Sequence, residues 1–198
     1  AMPFIRVPVN ELWTAKRALD AGALGVIFPF TTTPELARQA VAACKYPPLG
    51  RRGAGPGLAV FRWPAPEGYA DFADRNAMVV TIIEEKRAVE KIDEIAAVPG
   101  IDVIFIGIND LSYSYGFRGR QDPPEVQDAV RKIVAAARHN HIPVGRPAGS
   151  AADIEKLMTE GFSFFQASSE LGFMAAGART LLAPLGKSGG GSRERPLY

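Results

Sequence analysis

The sequence predicts an α/β protein built on a parallel sheet, and three observations point that way. Short apolar runs rich in Ile, Val and Phe alternate with longer segments whose apolar residues recur at helical spacing. The runs are apolar throughout, as strands are when both faces of their sheet are covered. No two runs are joined by a short hairpin signal, so six βα units follow one another. An open doubly wound sheet and part of a (β/α)8 barrel both satisfy this pattern. In either, ligands sit at the C-terminal ends of the strands.

Phe4 to Val9 reads as the first strand. Asn10 is placed to cap a helix carrying Leu12, Ala15, Ala18 and Leu19, which Gly22 stops. Leu24 to Phe28 is the second strand, and Thr33 caps a helix with Pro34 in its first turn, reaching about Cys44. Tyr46 to Pro66 reads as a long Pro/Gly/Arg loop, with a short helix near Gly68 to Arg75. Met78 to Ile83 is a strand, Lys86 to Val98 one amphipathic helix, and Ile101 to Ile106 a strand followed by a loop from Gly107 to Asp122. Pro123 and Pro124 open a helix to about Asn140, and Ile142 to Gly145 is the fifth strand. Ser150 caps a helix to Glu160, Phe162 to Ala167 is the sixth strand, and Leu171 to Leu185 the last helix. Residues 1–186 read as one barrel-type domain and 187–198, rich in Gly and Ser, as a flexible tail.

Composition narrows the function. A net charge of +2 excludes nucleic-acid binding driven mainly by charge. The single cysteine excludes an internal disulfide framework and a Cys-rich zinc site. No apolar run is long enough for a membrane span and no secretory signal is visible, so the expected location is the cytoplasm.

The informative residues follow the apolar runs. Glu84 closes the third strand and Asp110 follows the fourth by a short turn, one helix and one strand further on. Neighbouring parallel strands would bring both carboxylates to one rim, a donor set for Mg²⁺ or Mn²⁺ that leaves positions for water and substrate. Glu84 reads equally well as the acid that opens the next helix. Arg6 interrupts an apolar strand: it is either a solvated edge arginine or a guanidinium facing a substrate anion or developing enolate. The run Gly50-Arg51-Arg52-Gly53-Ala54-Gly55-Pro56-Gly57 does not complete a phosphate-binding fingerprint and follows a helix. It reads as a shaped loop whose arginines face an acidic ligand, a subunit or nothing but the fold. His139 and His141 sit at a helix-to-strand joint, the end opposite the chemistry. Ser168 and Ser169 either touch ligand or cap the last helix. No lysine falls inside a strand run, which argues for metal over imine chemistry.

Several segments together resemble the HpcH/HpaI aldolase family: Arg6-Val7-Pro8-Val9-Asn10, Ala18-Leu19-Asp20-Ala21-Gly22-Ala23, Tyr46-Pro47-Pro48 with Gly50-Arg51-Arg52-Gly53, Ile83-Glu84, and Ile92 to Gly100 through Phe105-Ile106-Gly107 to Asp110-Leu111-Ser112. The resemblance implies a (β/α)8 TIM barrel of which this chain carries about six units. It implies a class II, metal-dependent lyase of 2-oxo acids, with Mg²⁺ or Mn²⁺ on Glu84 and Asp110. Arg6 would contact the keto or enolate oxygen of pyruvate, and the Gly107 to Asp110 turn its carboxylate, with Asn109 and Ser168 as further substrate contacts. An aldehyde is the second partner in the aldol direction. Oxaloacetate decarboxylation, as in a macrophomate synthase-like relative, passes through the same enolate, and a non-catalytic paralogue would keep only 2-oxo-acid binding. Neither nucleic acid nor membrane is implied, and assembly is expected as a homo-oligomer, a hexamer that exchanges the last helix. The family's catalytic His lies ahead of the Arg-bearing strand and has no counterpart here. Ile82 stands where Gln is usual, Ile108-Asn109 where Pro-Ala is common, and Thr31-Thr32 where a Val-Glu pair is frequent.

Overall fold

The computed structural model describes residues 1–185. The expected tail, residues 187–198, lies outside them.

Six strands form one sheet in sequence order, every neighbouring pair parallel. They are β1 (Phe4–Arg6), β2 (Gly25–Phe28), β3 (Met78–Ile83), β4 (Val103–Ile106), β5 (Val144–Pro147) and β6 (Phe164–Gln166). A doubly wound sheet reverses its strand order at a switch point, and no reversal occurs here. Unbroken order belongs to barrel winding, with all crossover helices on one face. The sheet curls on that plan: the rings of Phe4 on β1 and Phe164 on β6 meet edge to face at 5.6 Å, although their strands are not paired. The result is a curled half-barrel with β1 and β6 as open edges.

Side chains alternate between its two faces. Val80, Ile82, Val103 and Phe105 fill the concave side with Phe4, Ile27, Met78 and Phe164 packed on them. The convex side carries two larger clusters under the helices. One joins α1 (Leu12–Asp20) and α2 (Pro34–Cys44) to Val26, Phe28 and Val79. The other joins α5 (Lys86–Glu90), α6 (Ile92–Ala96) and α8 (Pro124–His139) to Ile83, Ile104, Ile106 and Val144. α9 (Ala151–Thr159) contributes Leu157.

Local signals behave as their chemistry requires. Thr33 Oγ1 accepts the Leu36 N–H and Ser150 Oγ the Asp153 N–H, each capping its helix, and Pro34 takes the first turn of α2. Five expectations need correction. Asn10 caps nothing: α1 begins after Glu11, and the Asn10 side chain donates to the Leu36 carbonyl at 2.8 Å, tying two helices together. The loop from Tyr46 contains a helical turn, α3 (Ala59–Arg62), before α4 (Tyr69–Asn76). The helix expected over Lys86 to Val98 is broken at Lys91, which leaves helical geometry (φ −110°, ψ 15°). The stretch after Gly107 is not all loop, because Ile108–Ser114 form α7 with Ile108, Leu111 and Ser112 buried along one side. The fifth strand lies two residues further on than expected, since the Ile142 N–H is still engaged by the Ala137 carbonyl at the end of α8.

Candidate functional site

Parallel strands in one sheet bring their C-terminal ends to one rim. The concave-facing positions end there in Arg6, two residues beyond Phe4, Glu84, two beyond Ile82, and Gly107, two beyond Phe105.

Glu84 is 2% exposed. Its Oε1 accepts the Phe30 N–H at 2.7 Å. A Cβ on Gly107 would fall 2.7 Å from Glu84 Cβ and 2.9 Å from Oε2, so this approach requires glycine. Burial pushes the Glu84 carboxyl above its ordinary range; the Phe30 N–H opposes this, the charge of Asp110 adds to it, and Arg6 pulls it back. Asp110 is thus near enough for its charge to act on Glu84. Asp110 is exposed in the first turn of α7. That helix is anchored by Ser112, whose Oγ donates to the Asn109 carbonyl at 2.6 Å and accepts the Gly119 N–H at 2.8 Å.

The structure thus brings Glu84, Asp110, Gly107 and Arg6 into one neighbourhood. A buried carboxylate with one N–H partner beside a second carboxylate is a set of hard oxygen donors that fits Mg²⁺ or Mn²⁺, ions that keep waters and substrate in their remaining positions. No group of three or more His, Cys, Asp or Glu side chains suited to a metal occurs among the described residues, so a zinc-type cage is not formed there. Arg6 lies on an edge strand, is exposed, and makes no ion pair among the described residues. Its guanidinium is therefore not a buried charge that demands an anion; it stands free at the mouth. Asn109 is exposed on α7. Ser168 is exposed past β6, while Ser169, not Ser168, caps α10 (Glu170–Leu182) through the Gly172 N–H.

Other singled-out residues lie elsewhere. His139 ends α8 and His141 follows in a left-handed conformation, both exposed at the opposite end of the strands. Arg52 is fully buried, donates to Asp20 Oδ1 at 2.9 Å and lies over the Tyr46 and Tyr69 rings. Its role is to lock the loop after α2 onto the end of α1. Arg51 lines an exposed groove of about 440 Å³ on the helix side, away from the carboxylates. No described lysine lies in a strand. Sequence reasoning missed the Phe30 N–H, which no side-chain pattern announces, and the Arg52–Asp20 pair, whose partners are far apart in the chain.

Comparison with known proteins agrees with this fold. The family model for HpcH/HpaI aldolase/citrate lyase matches residues 1–176. A 2-dehydro-3,6-dideoxy-6-sulfogluconate aldolase of Pseudomonas putida is 34% identical over 93% of this chain and 72% of its own length. A 5-keto-4-deoxy-D-glucarate aldolase of Escherichia fergusonii is 36% identical over 90% of this chain and 70% of its own. The crystal structure of an HpcH/HpaI aldolase/citrate lyase family protein from Burkholderia cenocepacia superposes with a TM-score of 0.84 at 33% identity, covering 92% of this chain and 73% of that one. By fold, by the match along most of its length and by these relatives, the chain belongs to the HpcH/HpaI aldolase/citrate lyase family.

Proposed function

We propose that the chain is a divalent-metal-dependent carbon–carbon lyase of 2-oxo acids, working through a pyruvate enolate. Glu84 and Asp110 would hold Mg²⁺ or Mn²⁺, and Arg6 would be the catalytic cation of the protein itself. The observation that carries this reading is the juxtaposed Glu84 and Asp110 carboxylates at the C-terminal rim, with Arg6 close enough to act on Glu84. A bound cation would supply positive charge toward which electrons of the breaking carbon–carbon bond can flow.

The residues themselves do the rest. Arg6 presents a planar fork of donors to the keto oxygen as it gains negative charge, a contact that strengthens along the reaction. Backbone N–H groups of the Gly107 to Asp110 turn hold the substrate carboxylate, and Asn109 and Ser168 line the rim beside it. The relatives' substrates, a sulfogluconate and a glucarate derivative, point to a hydroxylated 2-oxo acid cleaved to pyruvate and an aldehyde. In that cleavage the C3–C4 bond breaks, its electron pair forms the enolate, the C4 hydroxyl loses a proton to a base, and the enolate then takes a proton.

A second reading rests on where the imidazoles stand. Both histidines are at the far end of the strands, so among the described residues no imidazole can take the hydroxyl proton. Decarboxylation of oxaloacetate needs no such base: carbon dioxide leaves and the same enolate forms. The test is Mn²⁺ with oxaloacetate. Pyruvate above the metal-only background, lost in Glu84→Gln, supports the lyase reading. Aldol product from pyruvate plus an aldehyde selects the aldolase; its absence while decarboxylation persists selects the second reading. Binding without turnover would leave a 2-oxo-acid-binding protein.

The proposal includes a homo-oligomer acting in the cytoplasm. α10 leaves Leu171, Phe173, Met174 and Leu181 in solvent and buries none of its residues, which fits a helix covered by another copy, as in a hexamer. Among the described residues no helix is long and apolar enough to cross a membrane.

A further inference from the structure

We infer that Phe30 is a positioning residue for Glu84, and that its left-handed backbone, not its ring, does the positioning. The inference rests on the reading of Glu84 as a metal ligand.

Phe30 has φ of +51°, a conformation that residues with a Cβ resist. Strained backbone persists only where its surroundings dictate it. Here they do. Phe28 is in register with Thr81, and the Thr31 N–H then donates to the Ile82 carbonyl at 3.2 Å. In an unbroken parallel ladder Phe30, one past the register partner of Ile82, would donate to that carbonyl, so the β2 side carries one extra residue. That one-residue bulge is taken up at Pro29–Phe30, and a positive φ at Phe30 returns the chain to β3. Thr31 and Thr32 beyond it are buried, which holds the return in place.

The consequence falls on Glu84. The looped-out Phe30 N–H meets Oε1 at 2.7 Å, while Oε2 lies on the side of Gly107, where the helix bearing Asp110 begins. The two carboxylate oxygens thereby acquire different tasks: Oε1 is held by the fold, and Oε2 is presented to a ligand. Phe30 is 49% exposed, so core packing does not account for the strained geometry.

Four variants separate backbone from ring. Glycine and asparagine tolerate positive φ, whereas β-branched residues resist it. In the full chain without substrate, Mn²⁺ affinity is read by electron paramagnetic resonance and stability by thermal melting. Phe30→Gly and Phe30→Asn are expected to bind Mn²⁺ within about threefold of wild type and to melt no lower, since strain is relieved. Phe30→Val and Phe30→Ile are expected to bind at least about tenfold more weakly, a difference of about 1.4 kcal/mol. The reverse order, or equal affinity in all four, would overturn the inference. If wild type binds no Mn²⁺, the metal reading of Glu84 fails instead. Hydrogen exchange in the metal-free chain then decides the inference: Glu84→Leu must speed exchange of the Phe30 amide about tenfold or more, and an unchanged rate would sink it.

Discussion

Glu84 gathers at one residue most of what this chain requires of its site. An ionised carboxylate loses hydration on burial and needs donors or a cation in exchange. Phe30 supplies one N–H and Arg6 only a field, while Asp110 adds charge of the same sign. On the proposed reading a divalent ion makes that exchange complete. Its backing is Gly107, and Gly107→Ala forces a methyl group against Glu84 Cβ and Oε2. That substitution is expected to cost about 1–3 kcal/mol in denaturant unfolding and to weaken Mn²⁺ binding; unchanged affinity would separate Gly107 from the site. Arg6 stands free at the rim, so Arg6→Lys should leave Mn²⁺ affinity within about threefold while lowering kcat about tenfold or more, because a point charge does not reproduce the fork. Cys44 gives a control far from the rim. Burial pushes its thiol from 9.0 up to about 12, so the native chain should be inert to thiol reagents at pH 8. Between pH 9 and about 12 the unfolded chain releases this proton and the folded chain keeps it, so stability falls as pH rises, by at most about 1.4 kcal/mol per pH unit. Cys44→Ala should flatten that slope.

At the level of elements, much of the pattern was legible in the sequence and the exceptions have physical reasons. β3 was bounded correctly because six consecutive apolar or β-branched residues face packing on both sides. α2 and α9 were legible through Thr33 and Ser150, whose hydroxyls have one obvious task. The break at Lys91 was invisible because Ala88, Val89, Ile92, Ile95 and Ala96 keep helical spacing across it, and periodicity does not register one residue leaving the helix. α7 escaped notice because its buried residues, Ile108, Leu111 and Ser112, make a single turn's worth of signal among polar neighbours. It matters more than its length suggests, since it carries Asp110. The loop after α2 shows the limit most clearly. Its glycines announced a shaped segment, yet its anchor is the contact of Arg52 with Asp20, far apart in sequence. Asp20→Ala leaves the buried guanidinium uncompensated and should cost about 3 kcal/mol or more, whereas removing both charges together in Arg52→Met with Asp20→Asn should cost less. Urea unfolding of the two variants checks this; a loss in the double variant equal to or larger than that of Asp20→Ala would contradict it.

For the whole molecule, sequential parallel winding accounts for both the shape and the place of the chemistry. Curling brings Phe4 against Phe164, fills the concave face with apolar side chains, and leaves the polar residues at the rim. The sequence alone left a doubly wound sheet and a barrel open between them; strand order decides, and order is a property of long-range pairing that local patterns do not contain. The carboxylates were legible as candidates because each follows an apolar run. Their proximity was not, because it depends on the registers of β3 and β4, and the Phe30 N–H depends on a backbone dihedral. The Glu84–Asp110 rim is proposed to bind a divalent ion and, with it, a 2-oxo acid. Calorimetric titration of Mn²⁺ and then pyruvate into this chain and into Asp110→Asn tests it most directly. Pyruvate heat that appears only after Mn²⁺, and disappears in Asp110→Asn, is the predicted result. An intact chain that takes up no Mn²⁺, or a variant that binds Mn²⁺ and pyruvate as wild type does, would contradict it.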